Sequence, residues 1–265
     1  RNTTRVTGPS FSANGSQLAF SQVGAGVPRS VWLMNADGSS QSPLLQDESG
    51  WPSWDGNDRL LVFRGATPQT GSFWFIDSRT RRATELKHID ARGVNNPRLS
   101  PDGESIAYWK LEPGGALNTW VQPVTGGLAR RVTADPESAN YPVWSPDGRW
   151  LAVELKRGEE TSIGVVSRDG GPIEQVTHER GQNWPHSWVG DLIFFAGERD
   201  GVWNVFTVSR RTGTIRQVTH FTSPSGGVNY PAASPDGSRV VFERTVDEGS
   251  IWTFAAPGFL RDSDD

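Results

Sequence analysis

One short peptide recurs along the chain at a nearly constant interval. NYPVWSPDGRWLAVE begins at Asn140, and the related fragments NNPRLSPDGESIAYW and NYPAASPDGSRVVFE begin at Asn95 and Asn229. A period of this kind indicates one supersecondary unit per copy. The bulky or apolar residue after the recurring proline marks six copies, spaced by 43, 45, 45, 44 and 45 residues, at Phe11, Trp54, Leu99, Trp144, Trp188 and Ala233.

Each copy contains four short apolar segments separated by turn sequences. The second reads QLAFS, RLLVF, SIAYW, WLAVE, LIFFA or RVVFE, and the third ranges from SVWLMN to SIWTFA. These segments are rich in β-branched and aromatic residues and too short for helices. SPDG, ADGS, TGGL, DGGP and RTGT supply the turns between them. The pattern predicts an all-β protein, a six-bladed β-propeller of four-stranded antiparallel blades.

The two ends of the chain predict how the ring closes. The sixth copy stops after its third strand, SIWTFA, whereas the chain opens with NTTRVT, which matches the missing fourth strand. We therefore expect residues 3–7 to join the edge of the last blade, which leaves no sheet edge open. Residues 1–258 are expected to form a single propeller domain, followed by an acidic tail at 259–265. The expected blades are 8–47, 50–88, 95–134, 140–178, 183–220 and 229–256.

Composition excludes several classes of function. The 265 residues carry 26 basic and 30 acidic side chains, and no basic block marks a site for nucleic acid or an anionic membrane. No apolar run approaches the roughly 20 residues that span a bilayer, so membrane insertion is not expected. The absence of cysteine excludes disulfides, thiolate nucleophiles and Cys-based zinc sites. The chain opens at Arg1 without an initiator Met, and we expect it to be a piece of a longer protein.

The core PxWSPDGxxLAF, followed by a third strand ending near DG and a fourth ending in VT, resembles the WD40-like PD40 repeats of the TolB family. The resemblance covers almost the whole chain, although SANG at Ser12, DGND at Asp55 and VGD at Val189 depart from SPDG. It implies a single-domain, six-bladed propeller that is often extracytoplasmic (periplasmic) in bacteria and often used for protein–protein contact. Similar repeats also gate serine peptidases, act as sensor modules and occur in pectate-fragment lyases, so the resemblance leaves the activity open.

Polar and aromatic residues stand just before each predicted first strand and are the candidate binding residues. In a propeller this connection arrives at the central channel, so the residues should gather at its mouth. Asn offers donors and an acceptor, and Tyr and Trp offer flat faces with a polar tip, which together suit a peptide, a sugar or another small polar ligand. Alternatively, each Asn caps its own loop while the ring packs on the neighbouring blade. The candidates are Trp51, Asn95, Asn96, Asn140, Tyr141, Asn183, Trp184, His186, Asn229 and Tyr230.

The fifth copy differs from the others by one residue. Pro185 lies three residues before Trp188, where the other copies have two. Asn183 and Trp184 are therefore expected to be displaced by one position, and His186 to occupy the slot that proline fills elsewhere.

Three histidines, His88, His178 and His220, directly follow fourth strands. If these connections turned toward the axis, imidazoles from three blades could meet a metal, as in the lyase relatives. However, the tripeptide VTH is common at this position of such repeats, and His178-Glu179 lacks the second His of HExxH. We therefore assign no metal and no cofactor, and keep these histidines as candidates for the alternative only.

The aspartates of the SPDG turns, Asp102, Asp147 and Asp236, are predicted to be structural. Each carboxylate can accept hydrogen bonds from nearby backbone N–H groups and hold its own turn. The sequence also contains no GxSxG elbow and no Gly-rich phosphate loop, so no catalytic residue is assigned.

The sequence favours a non-enzymatic binding or sensor module. It is expected to be a monomer that recognises a protein or peptide, or a small polar ligand such as a sugar, at the channel mouth. One alternative is a metal-dependent carbohydrate lyase or hydrolase with its site in the central channel, which predicts a bound metal that depends on His178 and His220. The second alternative is an accessory or gating propeller of a larger multidomain protein.

Overall fold

A computed structural model describes residues 4–24, 26–67, 70–134, 138–245 and 249–255. Every regular element in these ranges is a β-strand. The described part of the chain accordingly has no helix of the length and apolarity needed to cross a membrane. The acidic tail predicted at 259–265 lies outside the described residues.

The strands form five hydrogen-bonded sheets in chain order. The first contains β1 (Thr4–Phe11), β2 (Gln17–Gly24), β3 (Val27–Asn35) and β4 (Ser42–Leu45). The second contains β5 (Ser49–Trp54), β6 (Arg59–Arg64), β7 (Ser72–Asp77) and β8 (Ala83–Glu85). The third contains β9 (Asn95–Leu99), β10 (Ser105–Leu111), β11 (Leu117–Pro123), β12 (Arg130–Arg131), β13 (Ser138–Trp144), β14 (Trp150–Arg157), β15 (Glu160–Ser167) and β16 (Glu174–Gln175). The fourth contains β17 (Gln182–Val189), β18 (Leu192–Arg199), β19 (Val202–Ser209) and β20 (Ile215–Gln217), and the fifth contains β21 (Gly227–Ala233), β22 (Arg239–Thr245) and β23 (Gly249–Ala255).

The eight-stranded sheet consists of two repeats joined edge to edge. β11 and β13 pair in parallel at only two positions, Leu117 with Ser138 and Asn118 with Ala139. On either side of this link, β9–β12 and β13–β16 keep the antiparallel pairing of the four-stranded sheets. We refer to each group of three or four consecutive antiparallel strands as a repeat unit.

The predicted closure by the N-terminal strand is wrong. Residues 4–7 pair with β2, with Val6 opposite Gln22 and Thr7 opposite Ser21, and the last sheet has three strands. The reason lies at Gly8 and Pro9, which the prediction took as a boundary. They form an irregularity within one continuous strand, so the residues before them extend the local β1–β2 hairpin.

The first strands of the units contact one another in a circular order. β1 contacts β5, and the contacts continue through β9, β13, β17 and β21, which in turn contacts β1. Side chains connect these strands. The Trp54 indole donates to the Ser10 carbonyl (3.1 Å), and the Trp144 indole donates to the Arg98 carbonyl (2.9 Å). The bulky residue that marks the repeat therefore joins each of these two units to the one before it.

The hydrophobic core lies between neighbouring units rather than inside any one of them. Along β6, Leu61 and Phe63 pack toward the unit that begins with β9, whereas Leu60 and Val62 pack toward β2 and β3 of the first unit. Both faces of the strand are buried from Leu60 to Phe63, which explains why LLVF is continuously apolar instead of alternating.

Candidate functional site

The predicted binding residues lie inside the first strands, not in the connections before them. In β13, Asn140 pairs with Glu154 and Val143 pairs with Ala152, so Tyr141 and Pro142 together oppose a single residue. This is a β-bulge, which bends a strand and re-aims its side chains. The same interruption occurs in β1, β5, β9 and β21.

The residue before proline in each of these bulges has a left-handed backbone. The φ angle is 52° at Trp51, 47° at Asn96, 51° at Tyr141 and 51° at Tyr230. A left-handed conformation costs an L-residue about 1–2 kcal/mol, and bulky side chains rarely adopt it. A residue in this conformation persists only where the surrounding structure holds it in place. Such residues are found most often at active sites and ligand-binding sites. We name the end of the first strands where they lie the bulge end.

A cavity of about 830 Å³ opens at the bulge end. We name it the mouth cavity. It brings together six of the ten residues predicted from the sequence, and these come from three consecutive units: Asn140, Tyr141, Trp184, His186, Asn229 and Tyr230.

Aromatic rings form a continuous row across these units. The ring centroids of Tyr141 and His186 are 6.4 Å apart, and those of His186 and Tyr230 are 5.1 Å apart. Trp109 continues the row at 5.8 Å from Tyr141, and Trp184 packs on Trp203 at 4.3 Å. The cavity wall is therefore made of rings that neighbouring rings hold in place.

Several buried polar atoms at this wall make no hydrogen bond within the described part of the chain. They are the Asn140 side-chain oxygen and both ring nitrogens of His186. Asn140 is 3% exposed and His186 is 8% exposed. A buried polar atom without a partner costs about 1–3 kcal/mol, so such atoms are commonly satisfied by a water or a ligand.

Two ionisable groups at the cavity have shifted pKa values. Burial raises the pKa of Glu154 to about 7, against the opposing effect of Lys156. Burial, and then the charge of Arg98, lower the pKa of His186 to about 3, so this imidazole is neutral. Sequence reasoning missed Glu154, although the glutamates that end WLAVE and RVVFE occupy the same place in two copies, opposite Asn140 and Asn229.

The strand register confirms the predicted displacement in the fifth copy. Trp184 pairs with Ala196, one strand position before the interruption that leaves His186 unpaired. His186 thus holds the slot of Pro142, and Trp184 holds the slot of Asn140.

Not every candidate faces the mouth cavity. Asn183 is fully buried, donates to the Thr161 carbonyl (2.6 Å) and accepts from Arg199 (2.7 Å). Asn95 donates to the Gly93 carbonyl (3.2 Å). Asn95 follows the structural alternative, in which the amide caps its own loop, whereas Asn183 bonds to the preceding unit and to Arg199.

Trp51 and Asn96 line a second, smaller cavity of about 320 Å³, which we name the arginine pocket. Tyr230 lines both this pocket and the mouth cavity. Apart from Tyr230, the residues that line the arginine pocket come from the first three units.

The SPDG turns lie at the opposite end of the first strands, which we name the turn end. Asp147 accepts hydrogen bonds from the Ser145 hydroxyl (2.6 Å) and the Arg149 backbone (3.1 Å), and Asp236 accepts one from the Ser238 backbone (3.1 Å). The bonds from Ser145 and then Arg149 lower the pKa of Asp147 to about 2. The predicted structural role of these aspartates is confirmed.

The three candidate metal histidines lie outside the cavities. His88, His178 and His220 are exposed, and the His88 ring contacts the Val124 carbonyl at 2.7 Å. Within the described ranges, no group of three or more His, Asp or Glu side chains is placed to hold a metal ion. The structure therefore does not bring these histidines together.

Comparison with known proteins identifies the class. The chain is 29% identical over 179 residues to the uncharacterized peptidase YuxL of Bacillus subtilis (strain 168), which is 68% of this chain and 26% of that protein. It is 26% identical over 163 residues to the Tol-Pal system protein TolB of Francisella tularensis subsp. mediasiatica (strain FSC147), which is 59% of this chain and 37% of that protein. The chain therefore spans less than half the length of either relative.

Fold comparison agrees with the sequence relatives. The crystal structure of TolB from Acinetobacter baumannii superposes with a TM-score of 0.72 at 16% identity, covering 97% of this chain and 78% of that chain. These likenesses and the circular order of the units define a β-propeller. The family model described as the TolB beta propeller domain, PD40, matches residues 90–255. The chain belongs to the TolB β-propeller family.

Proposed function

We propose that this chain is a binding module that recognises an extended segment of a partner protein in the mouth cavity. The observation that supports this most directly is the set of unpartnered atoms on Asn140 and His186, in a wall built from Tyr141, Trp184 and Tyr230. A peptide backbone offers both the donors and the acceptors that these atoms lack, and its side chains can pack on the rings.

The size of the site fits this class of ligand. A cavity of about 830 Å³ is within the range of pockets that enclose drug-sized ligands, and it has room for a few residues of peptide. The wall needs little reorganisation, because the bulge backbones and stacked rings already hold it in place. Such preorganisation lowers the entropic cost of binding.

We propose that the binding module is a single six-bladed domain over residues 1–258. The circular contacts between first strands and the match to the TolB family support it. We propose that the domain is a monomer and that it is extracytoplasmic (periplasmic); the location rests on the family resemblance alone.

The proposal can be tested with peptides selected from a random displayed library against the purified domain. We expect Tyr141→Ala, Trp184→Ala and Tyr230→Ala, combined in one variant, to weaken the selected peptides about tenfold or more in fluorescence anisotropy, because aromatic anchors carry much of the energy of an interface. Lys156→Ala is a milder second variant, since this side chain lines the cavity and is exposed.

Matched controls are available elsewhere on the surface. Trp150 and Leu128 are exposed and lie outside the mouth cavity, so Trp150→Ala and Leu128→Ala should leave peptide affinity unchanged. Equal affinity in a folded triple variant, or selected peptides that do not compete with one another for the cavity, would count against the proposal.

A second candidate function is favoured by the likeness to the peptidase YuxL, which extends over 68% of this chain. In that case the propeller would be an accessory or gating domain of a larger protein. The full-length sequence tests it: a hydrolase domain joined to this chain supports the gating role. A peptidase assay of the whole protein, with and without the mouth substitutions, would then show whether the propeller controls access.

A further inference from the structure

The arginine pocket contains an excess of positive charge. Arg5, Arg29 and Arg98 all line it, and no aspartate or glutamate is among its lining residues. Arg5 is paired with the fully buried Glu243 beside the pocket. The other two guanidinium groups have no carboxylate partner in the described part of the chain.

Arg98 occupies a position that is otherwise small or apolar. It follows the bulge proline directly, and the equivalent residues of the other units are Ser10, Ser53, Val143, Ser187 and Ala232. Its Nε atom is buried and makes no hydrogen bond within the described residues, and burial lowers the pKa of the side chain. An arginine kept in this position without a counter-charge is costly unless something binds to it.

Arg29 is held at the edge of the same pocket. Its guanidinium carbon lies 5.3 Å from the centre of the Trp51 ring, and Trp51 is fixed by its left-handed bulge and by a contact with Phe63 at 5.3 Å. A Cβ atom added at Gly50 would lie 2.6 Å from the Arg29 side chain, so the glycine makes room for it. A guanidinium held in this way loses less entropy when it binds an anion.

We propose that the arginine pocket is a carboxylate-binding site that uses Arg98 and Arg29. A planar carboxylate matches the fork of N–H donors on a guanidinium and supplies the missing negative charge. The carboxylate can come from the C-terminus of a peptide or from an Asp or Glu side chain. The site is separate from the mouth cavity and does not depend on the function proposed there.

The test uses four short acetylated peptides and isothermal titration at low ionic strength. One pair is acetyl-Ala-Ala-Ala with a free C-terminus and its C-terminal amide; the other is amidated acetyl-Ala-Glu-Ala and its Gln counterpart. We expect at least one acidic peptide to bind about tenfold or more tightly than its neutral partner. The pair that shows the difference identifies the source of the carboxylate.

Two variants and a control assign the effect to the pocket. Arg98→Gln and Arg29→Gln should each remove the preference for the acidic peptide, while Arg211→Gln, at an exposed arginine outside the pocket, should keep it. If Arg98→Gln does not fold, Arg29→Gln decides alone, since Arg29 is only partly buried. Equal binding of acidic and neutral peptides, or a preference that survives these substitutions, would overturn the assignment.

The outcome can be separated from that of the function proposed above. Tyr141 and Trp184 line only the mouth cavity, so Tyr141→Ala and Trp184→Ala should leave the preference for a carboxylate intact. Loss of the preference in these two variants would place the carboxylate in the mouth cavity and contradict a separate site.

Discussion

The two ends of the first strands carry the same repeated motif but satisfy their polar groups in opposite ways. At the turn end, the Ser145 hydroxyl bonds Asp147 and accepts from the Trp150 backbone at 2.9 Å, so each turn is complete within itself. At the bulge end, the Asn140 oxygen and the His186 ring make no bonds within the described residues. The polar groups of the turn end therefore stabilise the fold, whereas the bulge end has buried polar atoms that a ligand could bind.

The largest effect on stability is expected at the turn end. Ser145→Ala with Asp147→Ala removes a buried hydroxyl, two backbone contacts and the Arg149 ion pair (2.7 Å), and should lower the free energy of unfolding by about 3 kcal/mol. Urea denaturation at pH 7 measures this. Glu48→Ala, at an exposed residue, is the control and should change little. A loss no larger than that of the control would remove the distinction between the ends.

The second effect has the opposite sign and lies at the bulge end. Burial is the main reason that the pKa of Glu154 is raised to about 7 in the folded state. The buried carboxylate therefore lowers the free energy of unfolding. This loss is absent below the ordinary pKa of a glutamate and grows as the pH rises to about 7. Glu154→Gln should therefore stabilise the protein by about 2–3 kcal/mol at pH 8 and by little at pH 4. Unfolding free energies across this pH range test it, with the exposed Glu159→Gln as control. A difference that does not grow with pH contradicts it.

The smallest effect at pH 8 is expected at His186. Because neither ring nitrogen has a partner in the described structure, His186→Leu should change the free energy of unfolding by no more than about 1 kcal/mol at pH 8. The pKa of His186 is lowered to about 3 in the folded state, whereas an unfolded histidine titrates near 6.5. The free energy of unfolding of the wild type therefore decreases as the pH falls below 6.5, because only the unfolded chain takes up the proton. The variant should gain relative to wild type between pH 6.5 and 5. A large loss at pH 8 would show that the imidazole has a structural partner.

Much of the fold was predictable because the repeat is a local, short-range pattern. The SPDG aspartates were assigned correctly since an Asp turn is built from bonds two residues apart along the chain. The slot of His186 also followed from counting, because one inserted residue shifts a strand register by one. Both inferences needed no knowledge of distant residues.

The errors came from the proline-containing bulges. In the sequence, the proline of each bulge suggests the beginning of a strand. The residues before Pro9 were therefore predicted to join another sheet, and the residues before Pro142 were predicted to form a connection. Both stretches continue their strands, because the ladder hydrogen bonds on either side of the bulge outweigh the interruption. The short parallel link between β11 and β13 has no signal in the sequence.

The sequence by itself determined the all-β fold, the period and strand order of the repeats, and the chemistry of their turns, since each depends on neighbours within one unit. Only the tertiary structure decided which of the predicted side chains meet in one cavity and which lie elsewhere. Asn140, Trp184 and Asn229 come from different units, and they line one cavity because the first strands contact each other in a ring. Arg98 is the charged residue in a slot that is small or apolar in the other five copies. Its significance depends on its having no carboxylate partner among the described residues, which no local pattern records.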